Sequence, residues 1–214
     1  MLAKGSPRPW PRAVALAVRR GLQRWMTSAL EQARPGDAEE RMRAKLARWH
    51  LPGFPRLVAG RVLGRLRDLA GRVPPRVQAA VLGSLFNRWA TGRRFQSRYE
   101  GGCLLGCGGD DSIEHYLRCR IGRDFCRDCI FLDISAADTW DTMMLASCPS
   151  RYADHYLLWV RIAILHYVLY RSVHALRHCP QSPEHIRRVL QQALVEAVRG
   201  HPAAQQVLRV TRRQ

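Results

Sequence analysis

The sequence predicts an all-α protein, an irregular helical assembly with a small CCHC-type module in its middle. Three observations carry that reading. Apolar residues recur at three- and four-residue spacing in successive segments, the period of a helix with one buried face. No segment shows the strict alternation of a half-buried strand, and neither a hairpin signal nor a repeat of fixed period occurs. Cys103, Cys107, His115 and Cys119 fall within one short stretch, CLLGCGGDDSIEHYLRC, where a bound ion can substitute for a core.

The elements follow in order. Residues 1–11 are rich in proline and irregular. Residues 12–33 read as an amphipathic helix with Val14, Leu16, Val18, Leu22, Trp25, Met26 and Leu30 on its apolar side and Arg19, Arg20 and Arg24 among its charges. Pro35-Gly36 breaks the chain, and Asp37 with Glu40 starts a basic helix that runs to Trp49. After the Leu51-Pro52-Gly53-Phe54-Pro55 break a third helix extends to Gly71, with Leu57, Val58, Val62, Leu66 and Leu69 inward and Arg61, Arg65 and Arg72 on one outer face. Pro74-Pro75 opens a fourth, whose stripe is Val77, Val81, Leu82, Leu85, Phe86 and Trp89. Residues 124–130 read as one helical turn or two, and Ser135 caps a helix to Ser147. The helix over 152–178 is nearly apolar all round between Tyr156 and Tyr170, which places it inside a core or a bilayer. Arg161 and His166 interrupt it, and a span needs ~20 apolar residues, so it reads as the central helix of the C-terminal half. Ser182 and Pro183 cap the last clear helix, and Gly200 ends it. The breaks mark three regions: 1–52 (a basic N-terminal arm), 53–134 (Arg-rich helices and the Cys/His module) and 135–214 (the C-terminal helices).

Within the module the spacing is C-x3-C-x7-H-x3-C. Three thiols and an imidazole complete a tetrahedral zinc shell, which leaves no open position for catalysis; the ion is structural. Gly106, Gly108 and Gly109 supply backbone freedom around Cys107. Asp111 or Ser112 caps a short helix, with Glu114 completing a capping box, and His115 and Cys119 share a face of it. Cys126 and Cys129 form a C-x2-C pair that can replace one ligand, bind a second ion with His50 or His155, or be two plain thiols on a short helix. His174, His178 and Cys179 form a weaker constellation, since cationic side chains favour helix C-termini in any case.

Residues 82–119 resemble the zinc-binding region that follows the polymerase domain in reverse transcriptases of non-LTR retroelements. That family carries a T-x-x-R-apolar motif on an Arg-rich helix, a Cys pair, an acidic-Ser/Thr-x-x-His-apolar run and a last Cys. The matching parts are Thr91-Gly92-Arg93-Arg94-Phe95, Cys103 with Cys107, Asp111-Ser112-Ile113-Glu114-His115-Tyr116-Leu117, and Cys119. The family has two residues between the first cysteines and four between His and the last Cys, whereas this chain has three and three. The match covers under a fifth of the chain. It implies zinc binding, suggests contact with nucleic acid, and makes the chain a descendant or fragment of a larger enzyme without the polymerase domain.

Charge points the same way. The net charge is +18 over 214 residues, and it is lopsided: residues 1–100 hold 21 Lys/Arg against 6 Asp/Glu, residues 101–214 hold 14 against 11. Nearly all the cations are arginines, whose planar fork holds two phosphate oxygens at once. Nucleic acid, RNA or DNA, is the favoured partner and an anionic membrane the lesser one. Arg88, Arg93, Arg94 and Arg98, interleaved with Phe95 and Tyr99, with Arg61 and Arg65, are the candidate phosphate contacts. Phe95 and Tyr99 also suit a plainer role, closing the module's small core.

Catalytic signatures are absent. There is no GxxxxGK[ST], GxGxxG or GxSxG, and Gly109-Asp110-Asp111 lies in the Cys/His loop instead of the strand–turn–strand setting of a polymerase metal site. The expectation is a non-enzymatic, zinc-stabilised nucleic-acid-binding protein with no small-molecule substrate. Two alternatives stand beside it: a helical protein-interaction domain with structural zinc, and an organelle or membrane-surface protein whose acid-poor start acts as a transit peptide. Cysteine usage without a secretory signal points to a reducing intracellular compartment, the nucleus first and the mitochondrion or plastid second.

Overall fold

A computed structural model describes residues 38–51, 55–95, 102–132, 139–148, 155–177 and 182–209. Packing divides the chain into Met1–Ala38 and Glu39–Gln214, and every described residue but Ala38 belongs to the second unit. The expected helix over 12–33, Arg98, Tyr99, the Ser135 cap, His178 and Cys179 lie outside the described residues.

Local chemistry sets the elements. Helix α1 (Ala38–Leu46) has Glu39 and Glu40 in its first turn and Arg43 and Lys45 in its last, the order that suits its dipole. A 3-10 turn (Ala47–Trp49) closes at His50, which is left-handed at φ 46°. Helix α2 (Pro55–Leu69) buries Val58, Ala59, Val62, Leu66 and Leu69. Leu57, expected inward, is 60% exposed; the buried stripe passes through Val58 and Ala59 instead. Helix α3 (Pro75–Leu85) starts on a proline at N1 and stops earlier than its apolar stripe suggests. Asn87 turns left-handed at φ 54°, so Trp89 enters the core from beyond the helix and donates its indole N–H to Ser84 Oγ at 3.0 Å.

Short helices follow: α4 (Gly92–Phe95), α5 (Ile113–Tyr116), α6 (Arg120–Phe125), continued by a π-helical turn (Cys126–Ile130), and α7 (Thr139–Met143). Three longer ones complete the chain: α8 (His155–Leu176), α9 (Pro183–Val198) and α10 (Pro202–Arg209). Ser182 caps α9 by accepting from His185 N, as expected, and Gly200 follows its end at φ 71°. The tail, left unassigned by its sequence, forms α10 after Pro202.

Helix α8 is the centre, packed against α9 most extensively, then α3 and α2. Every residue from 158 to 169 is buried, the all-round burial its composition predicts. Within that stretch Arg161 donates to the Phe131 carbonyl at 3.1 Å, and His166 Nε2 lies 2.9 Å from the Met143 carbonyl. The described residues contain no strand, only a bridge between Ala70 and Val73, and no described helix is long and apolar enough to cross a membrane. The fold is all-α, with a Cys3His group midway along the chain.

Candidate metal centre

The loop before α5 is built by turns. Cys103 N–H donates to Gly109 O, Gly106 N–H returns to Cys103 O at 2.9 Å, and Leu105 N–H points at Cys103 Sγ at 3.4 Å. Gly106 and Gly108 both take φ 80°, a conformation glycine adopts without strain. Gly109 serves a second need. A Cβ there would lie 2.1 Å from His115 Cε1, so only a bare backbone lets the imidazole close over the loop.

The ligand-type atoms of Cys103, Cys107, His115 and Cys119 all lie within 4.8 Å of one another. Cys103 Sγ is 3.8 Å from Cys119 Sγ, Cys107 Sγ is 3.4 Å from Cys119 Sγ, and Cys107 Sγ is 3.0 Å from His115 Nε2. A tetrahedron with Zn–S bonds of ~2.3 Å and a Zn–N bond of ~2.0 Å has edges of about 3.5 to 3.8 Å. The sulfurs are too far apart for disulfides, and all four groups are soft or borderline donors. The residues therefore fit a metal ion. The Cys103 thiol beside it and the N–H groups of Gly122 and Ile121 hold the Cys119 pKa below the usual thiol value despite burial. Cys103 is correspondingly pushed up by that hydrogen bond and by burial.

Of the two caps that the sequence allowed, Ser112 is the one that caps α5, accepting from His115 N at 3.1 Å. Two local expectations are corrected. Glu114 pairs with Arg93 at 3.1 Å instead of closing a capping box. His115 and Cys119 do not share one helix face, because α5 ends at Tyr116 and Cys119 is the N-cap residue that precedes α6. They meet because the chain turns between the two helices.

Asp111 is the anchor that the sequence hid behind its resemblance to a cap. Its carboxylate accepts from Gly92 N at 2.7 Å and Tyr116 Oη at 2.8 Å, and forms a two-pronged pair with Arg177 at 2.9 and 3.1 Å. Burial alone would raise its pKa; Arg177, Tyr116 and the Gly92 N–H overcome that and hold it below the usual carboxylate range. The loop is thus fastened to the C-terminal end of α8 and to α4. Tyr116 also stacks on Trp89 (ring centroids 6.0 Å apart), which meets Tyr170 of α8 edge-on.

The other candidates are scattered. Cys126 and Cys129 do not join the Cys3His group. Cys126 is fully enclosed in the π-turn with its thiol pushed up by burial, and Cys129 is half-buried. Arg88 is exposed with its guanidinium over Phe86; Arg93 is exposed beside Glu114; Arg94 donates to the Trp89 carbonyl at 3.3 Å. Arg61 is exposed, but Arg65 does not share its outer face. It is half-buried, stacked 4.1 Å over the Trp159 ring and donating to the Leu145 carbonyl. Arg48 is the residue sequence reasoning passed over. It joins Arg93 and Arg94 around a cleft of about 530 Å³ also lined by Trp49, Phe86, Asn87, Thr91 and Glu114. Its sequence signal was only one more basic residue in a basic helix.

Searches of protein-family models, of curated proteins and of solved structures give no match to this chain.

Proposed function

We propose that the protein is a non-enzymatic nucleic-acid-binding protein stabilised by one structural zinc ion. The observation that carries this is the Cys103/Cys107/His115/Cys119 group: three thiols and an imidazole whose ligand-type atoms all lie within 4.8 Å of one another, built beside a cluster of arginines. When bound, zinc cross-links the 103–109 loop to α5 and the start of α6. The chain's own residues do the rest. Arg88, Arg93, Arg94 and Arg98 contact phosphates, with Arg61 as an outlying contact and Arg65 left out because its guanidinium is engaged inside. Binding of this kind tolerates sequence and weakens steeply with salt. Descent from the zinc-binding region of a non-LTR retroelement reverse transcriptase, without its polymerase, accounts for the motif order, and an intracellular, nuclear setting suits the free thiols and the partner.

The test begins with metal content of the full chain purified without added metal, for the unaltered protein, Cys107→Ser and Cys126→Ser. One zinc per chain, lost in Cys107→Ser and kept in Cys126→Ser, is expected. Zinc absent from the unaltered protein would falsify the site. Binding to a labelled oligonucleotide is then followed across salt; no binding at low salt overturns the nucleic-acid reading.

A further inference from the structure

The cleft beside the metal centre is more specific than a basic surface. It is lined from four separate places in the chain: Arg48 and Trp49 ending the first helical segment, Phe86 and Asn87 at the turn after α3, Thr91, Arg93 and Arg94 around α4, and Glu114 of α5. Three guanidiniums and one carboxylate give it a net charge of about +2. Its volume, about 530 Å³, lies within the range of sites that enclose a ligand. Arg48 lies over the Trp49 ring at 5.8 Å, so the cationic rim has aromatic backing. Asn87, held left-handed at φ 54°, brings an amide with both a donor and an acceptor to the wall.

We infer that this cleft seats one nucleotide of a single-stranded nucleic acid, with Arg48 and Arg94 on the phosphate; the inference rests on the nucleic-acid reading above. A duplex keeps its bases stacked and paired and would have to flip one out to enter, losing that stacking and pairing. A single strand presents unstacked bases and a bendable backbone without that cost. The polar, mixed lining selects the same ligand: guanidiniums for phosphate, and the Asn87 amide for base edges. Glu114 opposes the phosphate and engages Arg93 at 3.1 Å, so it tempers affinity and its removal frees a guanidinium for the ligand.

The experiment is fluorescence anisotropy of the full-length protein with a labelled oligouridylate, the corresponding oligodeoxythymidylate and a blunt duplex of equal length. The variants are Arg48→Ala, Arg94→Ala and Glu114→Gln, with Arg188→Ala, exposed on α9, as a charge-matched control. Circular dichroism and zinc content certify each fold; Arg48, exposed within a short 3-10 turn, keeps the test usable if Arg94→Ala fails. Expected are single-strand binding at least tenfold tighter than duplex, about a tenfold loss for Arg48→Ala with the salt slope reduced by about one, and tighter binding for Glu114→Gln. Equal binding of single strand and duplex, or cleft variants no different from Arg188→Ala, overturns the cleft assignment while the nucleic-acid reading stands. No binding of any probe by the unaltered protein overturns both.

Discussion

At the scale of single residues, Asp111 and His166 govern how the module and the central helix are held. Asp111 is 8% exposed in its side chain and its pair with Arg177 is two-pronged, so truncating it strands a largely buried guanidinium. Asp111→Ala is expected to cost on the order of 3 kcal/mol, read as a lowered urea midpoint with unchanged m-value. His166 acts through protons. It is fully buried, and burial lowers its pKa to about 4 despite the Met143 carbonyl, so it is neutral in the fold and its Nε2–H serves as the donor to that carbonyl. Unfolded, its pKa is about 6.5. Between those values the unfolded chain binds the extra proton, so this contribution to stability is present above pH ~6.5 and is lost as pH falls towards ~4. It amounts to roughly 2 kcal/mol between pH 7 and pH 5. His166→Gln, which keeps a donor without a titrating group, is expected to flatten that part of the profile in urea melts at the two pH values.

At the scale of elements, α8 and the 103–109 loop stand for opposite strategies. Helix α8 is stabilised by apolar burial on every side, so Leu165→Ala, at a residue 1% exposed, is expected to cost about 2–5 kcal/mol through lost burial and a cavity, measured by chemical denaturation. The loop buries only Leu105 and Cys103 in the core and places its Cys and His atoms through backbone geometry. Gly109→Ala is expected to displace the His115 imidazole and weaken metal binding roughly 10- to 100-fold, read by competition with a chromophoric chelator. Helices with proline starts, a serine cap or a clean stripe were legible in the sequence: α2, α3, α8 and α9 fall close to where spacing put them. The end of α3 was not, because Phe86 and Trp89 continue the helical spacing while Asn87 breaks the backbone, and a buried Trp beyond a helix satisfies the same pattern as one within it. Helix α10 was missed because only a proline start and a few apolar residues announced it.

At the scale of the molecule, the metal site, the arginine cleft and the core form one connected arrangement. Arg93 N–H donates to the Asp111 carbonyl, Arg177 of the segment ending α8 binds its carboxylate, and Gly122 packs against Leu169. Stripping the metal is therefore expected to act beyond the loop. A chelator should lower the melting temperature and weaken single-strand binding together, since Glu114 and Asp111 flank the same turn; the check is calorimetry and anisotropy on matched samples. Loss of metal without either change would show that the loop's hydrogen bonds suffice.

The sequence by itself determined the all-α class, the buried central helix and the four Cys and His residues that the fold brings together. These depend on periodicity, composition and residue chemistry, which are local or nearly so. Only the tertiary structure decided that Ser112 caps α5 while Asp111 binds Arg177, that Arg65 faces Trp159 instead of solvent, and that Arg48 joins Arg93 and Arg94 around a cleft. An exposed arginine and one stacked on a buried ring have the same neighbours in sequence. The difference comes from partners some 45 to 95 positions away, and no local pattern records which of them folding brings near.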